Sequence, residues 1–289
     1  MTASQIPMDP RYVQARRVLL DVLSALEDHA HAIIITGAQA VYLRAGATDL
    51  AVAPYTTDGD LAVDPRLLGE EPMLEAAMTR AGLSLKERNA GEIQPGTWVA
   101  TVQFGETKGD VPIDLLVPQA LVTGKSRGAN LGAHGRRAAR TVPGIEAVLF
   151  DHSILTVTAL ESSDLRSLNV KVAGTAALLI AKAHKINDRQ QSGKPHRLVD
   201  KDASDVVRLM QTSDPTELAH TVRRLVLHDV AGASAARGIE LLTELFGGRG
   251  GIGITMATRA LEFAMPTEAI GVLCASYLNR LNAAVAKLP

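Results

Sequence analysis

The sequence predicts an α+β chain: a mixed β-sheet with flanking helices over residues 1–172, followed by a helical bundle over 173–289. Short β-branched runs, such as Ile33-Ile34-Ile35-Thr36 and Val111-Pro112-Ile113-Asp114-Leu115-Leu116-Val117, alternate with helix-period segments as far as Val172. From Thr175 onward the apolar residues recur at helical spacing almost to the end. A hydrophobic content of 46% over 289 residues is ample for a packed core.

The elements follow in order. Asp9-Pro10 opens an amphipathic helix over 12–26, a capping residue followed by a proline that fits the first helical turn. The run 32–36 reads as a buried strand, and Gly37 turns it into a helix over 38–44. A strand at 61–63, a helix over 67–81 and strands at 83–88, 98–104 and 112–117 come next. Residues 119–143 read as a glycine-rich basic loop carrying Lys125, Arg127, Arg136, Arg137 and Arg140. Strands at 146–150, 155–160 and 168–172 complete the sheet, and helices are expected over 176–187, 202–210, 215–227, 233–245, 255–263 and 266–286.

A formal net charge of -1 gives no global attraction to polyanions, so any contact with nucleic acid must come from a local patch. The single cysteine, Cys274, excludes an internal disulfide framework or a cysteine zinc site and fits a reducing compartment. No basic segment followed by an apolar run opens the chain, and no uninterrupted apolar stretch has membrane-spanning length. The expectation is a cytoplasmic protein with no membrane partner.

Chemistry concentrates in Thr56-Thr57-Asp58-Gly59-Asp60, one helix after the glycine turn at Gly37-Ala38-Gln39. Asp58 and Asp60, two apart on an extended segment, share one face. Mg²⁺ is a hard cation that binds through a few carboxylates together with substrate phosphates. A third acid, Asp114, is flanked by apolar residues, as expected of a carboxylate reaching from a buried strand into a pocket. Ions held among Asp58, Asp60 and Asp114 can stabilise both the attacking and the leaving oxygen of a phosphoryl transfer. Taken alone, Asp-Gly-Asp also reads as a solvated turn.

In the helical half, Lys182 follows four apolar residues, so its ammonium needs an anionic partner, and phosphate is a good one. A snorkelling lysine with its head in water is the plain alternative. Asp202 and Asp205 sit where carboxylates cap a helix N-terminus.

Taken in order, the strand and glycine turn, Thr-x-Asp-x-Asp, the apolar strand bearing Asp114, the Ala-Lys helix ending in Arg189, and Lys-Asp-x-x-Asp resemble the AbiEii/MenT-type nucleotidyltransferases. The resemblance covers roughly residues 30–210. It implies a minimal nucleotidyltransferase fold as the core domain, 1–172, and a C-terminal helical domain, 173–289, that contributes Lys182 and Asp202 to the site. It further implies Asp58, Asp60 and Asp114 as metal ligands for Mg²⁺, and Lys182 as the holder of nucleotide phosphates. Gly37, Ala38, Gln39 and Arg189 complete the nucleotide site, with Asp202 in its support and Asp205 as the second acid of that helix start. Asp114 acts either as a metal ligand or as a general base. The family is the toxin component of type IV-like toxin–antitoxin systems, so the implied reaction transfers a nucleoside monophosphate from an NTP to the 3′ end of tRNA, and a cognate antitoxin protein is the implied partner. Related folds modify aminoglycosides or proteins.

Two positions depart from the family pattern. Ala38 replaces a glycine or serine after Gly37, which removes a hydroxyl for phosphate but leaves backbone amides able to bind an anion. Gly59 replaces an apolar residue between the acids and loosens the strand. These two changes are what a noncatalytic nucleotidyltransferase-like scaffold would show. The basic loop suits an RNA backbone, with a solvated flexible loop as the alternative reading. Aromatic residues make up only 3% of the chain, which disfavours reading of bases by stacking. The glycine-rich run 246–253 follows a helix rather than a strand, so it reads as a hinge and not a dinucleotide fingerprint. His29 and His31 read as surface residues, and His184 as a hydrogen-bonded interface residue.

Overall fold

Helix α1 (Pro10–Ala25) starts on its cap: Asp9 Oδ1 accepts from the Arg11 amide at 2.7 Å, and Pro10 takes the first helical position. The computed structural model describes residues 8–46, 55–88, 91–124, 126–248 and 250–288, which leaves Lys125 and Arg249 outside the described residues.

Strand β1 (Ile33–Thr36) runs directly into α2 (Gly37–Ala45), a reversal made possible by the positive φ of 66° at Gly37. Strand β2 (Gly59–Val63) lies antiparallel to β1. After α3 (Leu74–Arg80) come β3 (Ser84–Glu87), β4 (Ile93–Phe104) and β5 (Thr107–Pro118), an antiparallel meander whose last strand pairs parallel to β2. Strand β6 (Arg140–Val142) runs parallel to β5, and the hairpin of β7 (His152–Thr158) and β8 (Ser167–Ala173) joins β1 through β8. Among the described residues the sheet is mixed and eight-stranded, in the order β3-β4-β5-β2-β1-β8-β7 with β6 beside β5.

Beyond β8 the chain is helical: α4 (Thr175–Gln191), α5 (Asp200–Thr212), α6 (Pro215–Val226), α7 (Gly232–Phe246), α8 (Ile252–Ala260) and α9 (Thr267–Ala286). The protein is therefore α+β, a mixed sheet flanked by helices with a C-terminal helical region. One buried apolar cluster runs from α1 through the sheet into α9, and Trp98, fully buried, donates from Nε1 to the Ala138 carbonyl at 2.9 Å.

Several expectations need correction. The strand expected at 146–150 is a 3₁₀ turn, Glu146–Leu149, with all four residues buried. The segment closes on itself, with the Val148 amide on the Ile145 carbonyl at 3.0 Å and the Phe150 amide on the Ala147 carbonyl at 3.1 Å, so its backbone pairs locally and not with a neighbouring strand. The helix expected over 67–81 shortens to Leu74–Arg80. Its first part is instead held by histidines, with His134 Nε2 at 2.7 Å from the Gly69 carbonyl and His29 Nε2 at 2.7 Å from the Pro72 carbonyl. His29 is thus buried and not a surface residue, and its ring meets that of His134 edge-on at 5.6 Å. The basic loop contains a strand, β6. Helix α9 has 20 residues and a mean hydropathy of 1.2, so by length and composition alone it passes for a membrane span. In the fold its Ile270, Cys274, Tyr277, Leu278 and Leu281 are buried, and Tyr277 and Arg280 bond to Ser213 and Asp214.

Candidate functional site

Strand pairing builds a polar row across the sheet. Thr36 of β1 is opposite Asp60 of β2, Asp60 is opposite Asp114 of β5, and Asp114 is opposite Thr97 of β4. Residues paired in this way point to the same face, so four strands bring one hydroxyl, two carboxylates and a second hydroxyl into line. Asp58, two residues before Asp60, joins the same cavity wall. The neighbouring residue, Gly59, points to the opposite face, where a side chain would meet the end methyls of Ile113 and, in α1, Leu19. The missing side chain that looked like a weakness is what leaves room for Ile113 of β5 beneath the acids. At Gly37 a Cβ would overlap the Asp60 carboxylate, so the glycine serves both the turn and the approach of that acid.

The facing wall is α4. Leu178, Ala181, Lys182, Lys185 and Arg189 follow the spacing of one helical face, and all line a cavity of about 210 Å³ together with the acids. The start of α4 is fixed by Asp151, whose Oδ2 accepts from the Ala177 amide at 2.9 Å.

The three acids differ in environment. Among the described residues no donor meets the Asp60 carboxylate, which opens into the cavity. Burial and the neighbouring Asp58 push its pKa up to about 6, against the pull of Lys185. Asp58 accepts a short hydrogen bond from the Thr56 hydroxyl, which in turn accepts from Lys201 Nζ at 3.0 Å. Burial holds the Lys201 ammonium below the usual lysine range. Asp114 is held on both oxygens, by Thr97 Oγ1 at 2.6 Å and by Arg140 Nη2 at 2.6 Å.

Lys182 is buried and closed between Asp202 Oδ1 at 2.7 Å and Asp205 Oδ2 at 2.6 Å. Burial alone would lower its pKa, but the two carboxylates overcome this and raise it. Burial likewise works to raise the pKa of Asp202, yet Lys182, Lys185 and Arg189 hold it well below the usual carboxylate range. Arg189 Nη1 reaches Asp202 Oδ2 at 2.5 Å and Lys185 Nζ reaches Asp202 Oδ1 at 3.1 Å. The lysine read as a phosphate ligand is therefore the bolt between α4 and α5. The cations with accessible side chains toward the cavity are Lys185, Arg189, Arg140 and Arg197.

The remaining residues divide. Gln39 is buried away from the cavity, accepting from Arg16 Nε at 2.8 Å and donating to the Asp58 carbonyl at 3.2 Å, so it braces the acidic segment and does not face a nucleotide. Ala38 is buried. The expected basic patch splits: Arg140 turns inward to Asp114, while Arg137 pairs with Glu75 of α3 at 3.2 Å. His184 Nε2 lies 2.8 Å from the Ser234 carbonyl. Sequence reasoning missed Lys185, Arg197, Thr97 and the bond from Lys201 to Thr56. The one available signal was Lys185 at i+3 from Lys182, on the same helical face.

No group of three or more His, Cys, Asp or Glu side chains among the described residues is arranged to hold a metal ion. The donor set that suits a hard cation is the pair Asp58 and Asp60, because an unpartnered carboxylate beside a second acid is relieved by positive charge. Asp114 is instead turned to Arg140. No family model, curated protein or solved structure matches this chain.

Proposed function

We propose that the protein is a Mg²⁺-dependent nucleotidyltransferase of the minimal fold, transferring a nucleoside monophosphate from an NTP to an acceptor hydroxyl. The observation that carries this reading is the Asp60–Asp114 pair in register across β2 and β5, with Asp60 free of any donor among the described residues and a wall of cations opposite. A cation held by Asp58 and Asp60 would neutralise the triphosphate and activate the incoming oxygen. Lys185 and Arg189 bind the triphosphate oxygens, and the first amides of α2 add a partial positive charge. The acceptor oxygen bonds to the α-phosphorus as the bond to pyrophosphate breaks. Its proton passes to Asp114, whose oxygens each keep a further lone pair beyond those engaged by Thr97 and Arg140. The acceptor is the 3′ end of tRNA, the setting is the cytoplasm, and the biological role is that of a toxin held by an antitoxin.

Incubation with Mg²⁺, total tRNA and each labelled NTP separately, with Asp58→Asn and Asp60→Asn proteins alongside, tests this reading. RNA labelled by the wild type alone supports it, and equal labelling by all three proteins defeats the assignment. A second reading, a noncatalytic module of the same fold, is favoured by the closure of Lys182 on Asp202 and Asp205. That reading requires that no acceptor, whether tRNA, aminoglycoside or protein, takes label.

A further inference from the structure

A hydrogen-bonded chain leads from Asp114 out of the cavity to the surface. Arg88 Nε donates to Gln94 Oε1 at 3.2 Å, Gln94 Nε2 to Thr97 Oγ1 at 2.8 Å, and Thr97 Oγ1 to Asp114 Oδ1 at 2.6 Å. From the other side Arg140 Nη2 meets Asp114 Oδ2 at 2.6 Å. Arg127 is anchored next to β6, since its carbonyl accepts from the Thr141 amide at 2.9 Å and Gly128 bridges to Arg140. The backbone crossings there are close: a Cβ at Gly96 would overlap the Arg140 amide, and one at Gly128 the Arg136 carbonyl. Arg197 arrives from the 3₁₀ turn Pro195–Arg197 after α4 and shares the cavity wall with Arg140.

Arg88, Arg140 and Arg197, from three other segments, are thus all neighbours of Arg127, and Arg140 carries the cluster to Asp114. Arg197 reaches Asp188 only at 3.7 Å, and among the described residues neither Arg88 nor Arg127 pairs with an acid. Arg140 Nε is buried without a partner. Partial burial, then repulsion from Arg88 and Arg140, holds the Arg127 pKa below its usual value, with Asp114 pulling the other way. Like charges gathered in this way cost free energy that a bound anion offsets. Arg140 and Arg197 line the cavity, whereas Arg88 and Arg127 stand exposed beyond it. A series of cations running from inside to outside suits a chain of phosphates better than a compact triphosphate.

We propose that Arg88, Arg127, Arg140 and Arg197 form a phosphate-binding cradle that grips the backbone of an RNA acceptor while its terminal hydroxyl reaches the Asp60–Asp114 row. The inference rests on the nucleotidyl-transfer reading above. Arginine forks match phosphate geometry with paired hydrogen bonds, and the chain has few aromatic residues to stack bases. Binding is therefore tolerant of sequence and sensitive to salt.

The test is fluorescence anisotropy with a short 5′-labelled single-stranded RNA bearing a free 3′-hydroxyl, across a salt series, for wild type and Arg88→Ala/Arg127→Ala. Calorimetric titration with NTP and with inorganic pyrophosphate runs in parallel. The expected result is RNA binding weakened about tenfold or more, with the salt slope reduced by about 1.4 for two lost phosphate contacts at about 0.7 each, and NTP and pyrophosphate affinity within about twofold of wild type. An Arg88→Lys/Arg127→Lys protein recovers the salt slope, because it keeps the charge. Unchanged RNA binding, no RNA binding by wild type, or loss confined to NTP and pyrophosphate overturns the proposal, the last outcome assigning the cluster to the triphosphate. RNA bound through these arginines but never labelled would refute the transfer reading alone. Labelling with an unaltered KM for RNA in the double variant would refute the cradle alone.

Discussion

Asp60 and Asp114 stand opposite each other across β2 and β5, but only Asp114 has donors on both oxygens, from Thr97 and Arg140. Asp60, next to Asp58 and half-buried, carries the cost of the site. A carboxylate whose pKa rises from 3.8 to about 6 on folding binds protons more tightly in the folded state. Its contribution to stability is present below pH 3.8 and is lost as pH rises toward about 6. Asp60→Asn removes that loss. The variant is expected to be more stable than wild type at pH 7.5 by about 1–3 kcal/mol, with the advantage shrinking toward pH 4. Thermal melts across this range decide it, and an advantage that does not vary with pH contradicts the assignment.

Lys182 and Lys185 are one turn apart on α4 and divide the labour of the site. Lys182→Met leaves Asp202 and Asp205 buried without their shared cation, a loss of about 3–5 kcal/mol. Lys185→Ala, at a more exposed position, changes stability little and weakens NTP binding about tenfold, the value of one charge-assisted contact near 1.4 kcal/mol. Denaturant titration and calorimetry together separate the two. A destabilised Lys185→Ala protein with normal NTP affinity would reverse the roles.

Gly37 and Asp60 form a testable steric pair. Gly37→Ala combines a positive φ with an overlap on the Asp60 carboxylate, and is expected to destabilise by about 1–3 kcal/mol. In the Gly37→Ala/Asp60→Ala double variant the overlap with the carboxylate is removed and only the Cβ of residue 60, at 2.9 Å, remains close, so the two changes are non-additive, with the double variant recovering part of the loss. Strict additivity in a double-mutant cycle argues that backbone strain alone makes glycine necessary there.

Thr56 passes the Lys201 contact on to Asp58. Removing the hydroxyl in Thr56→Val frees a cation ligand to rotate, and loss of such a supporting bond weakens metal affinity about 10–100-fold. Wild type is expected to melt higher in millimolar Mg²⁺, Thr56→Val to need much more of the ion for the same shift, and Asp58→Asn to show none. The same midpoint in all three proteins would place the ion elsewhere.

How far this was legible in the sequence depends on distance along the chain. The acids, the glycine turn and the order of strand, helix and bundle come from local pattern, and their positions in the cavity agree with it. Lys182 misled because a lysine after four apolar residues looks the same whether its partner is a substrate phosphate or two aspartates twenty and more residues later. Arg140 was grouped with its loop neighbours by composition, while pairing of β6 to β5 turned it onto Asp114. Gly59 looked like a fault because its purpose, room for Ile113 of β5, lies more than fifty residues downstream.

Asp58, Asp60 and Asp114 lie on β2, β5 and the segment before β2, whereas Lys185, Arg189 and Arg197 come from α4 and the turn after it, together with one further acid, Asp188. As the chain leaves the ribosome, therefore, an acidic half of the site emerges first and has only Arg140 to balance it until α4 follows. Lys182 cannot lock α4 in place until α5 supplies Asp202 and Asp205. Charge balance thus arrives late in synthesis, and a nascent chain stopped before α5 holds the three cavity carboxylates of the sheet with nothing yet fastened across them.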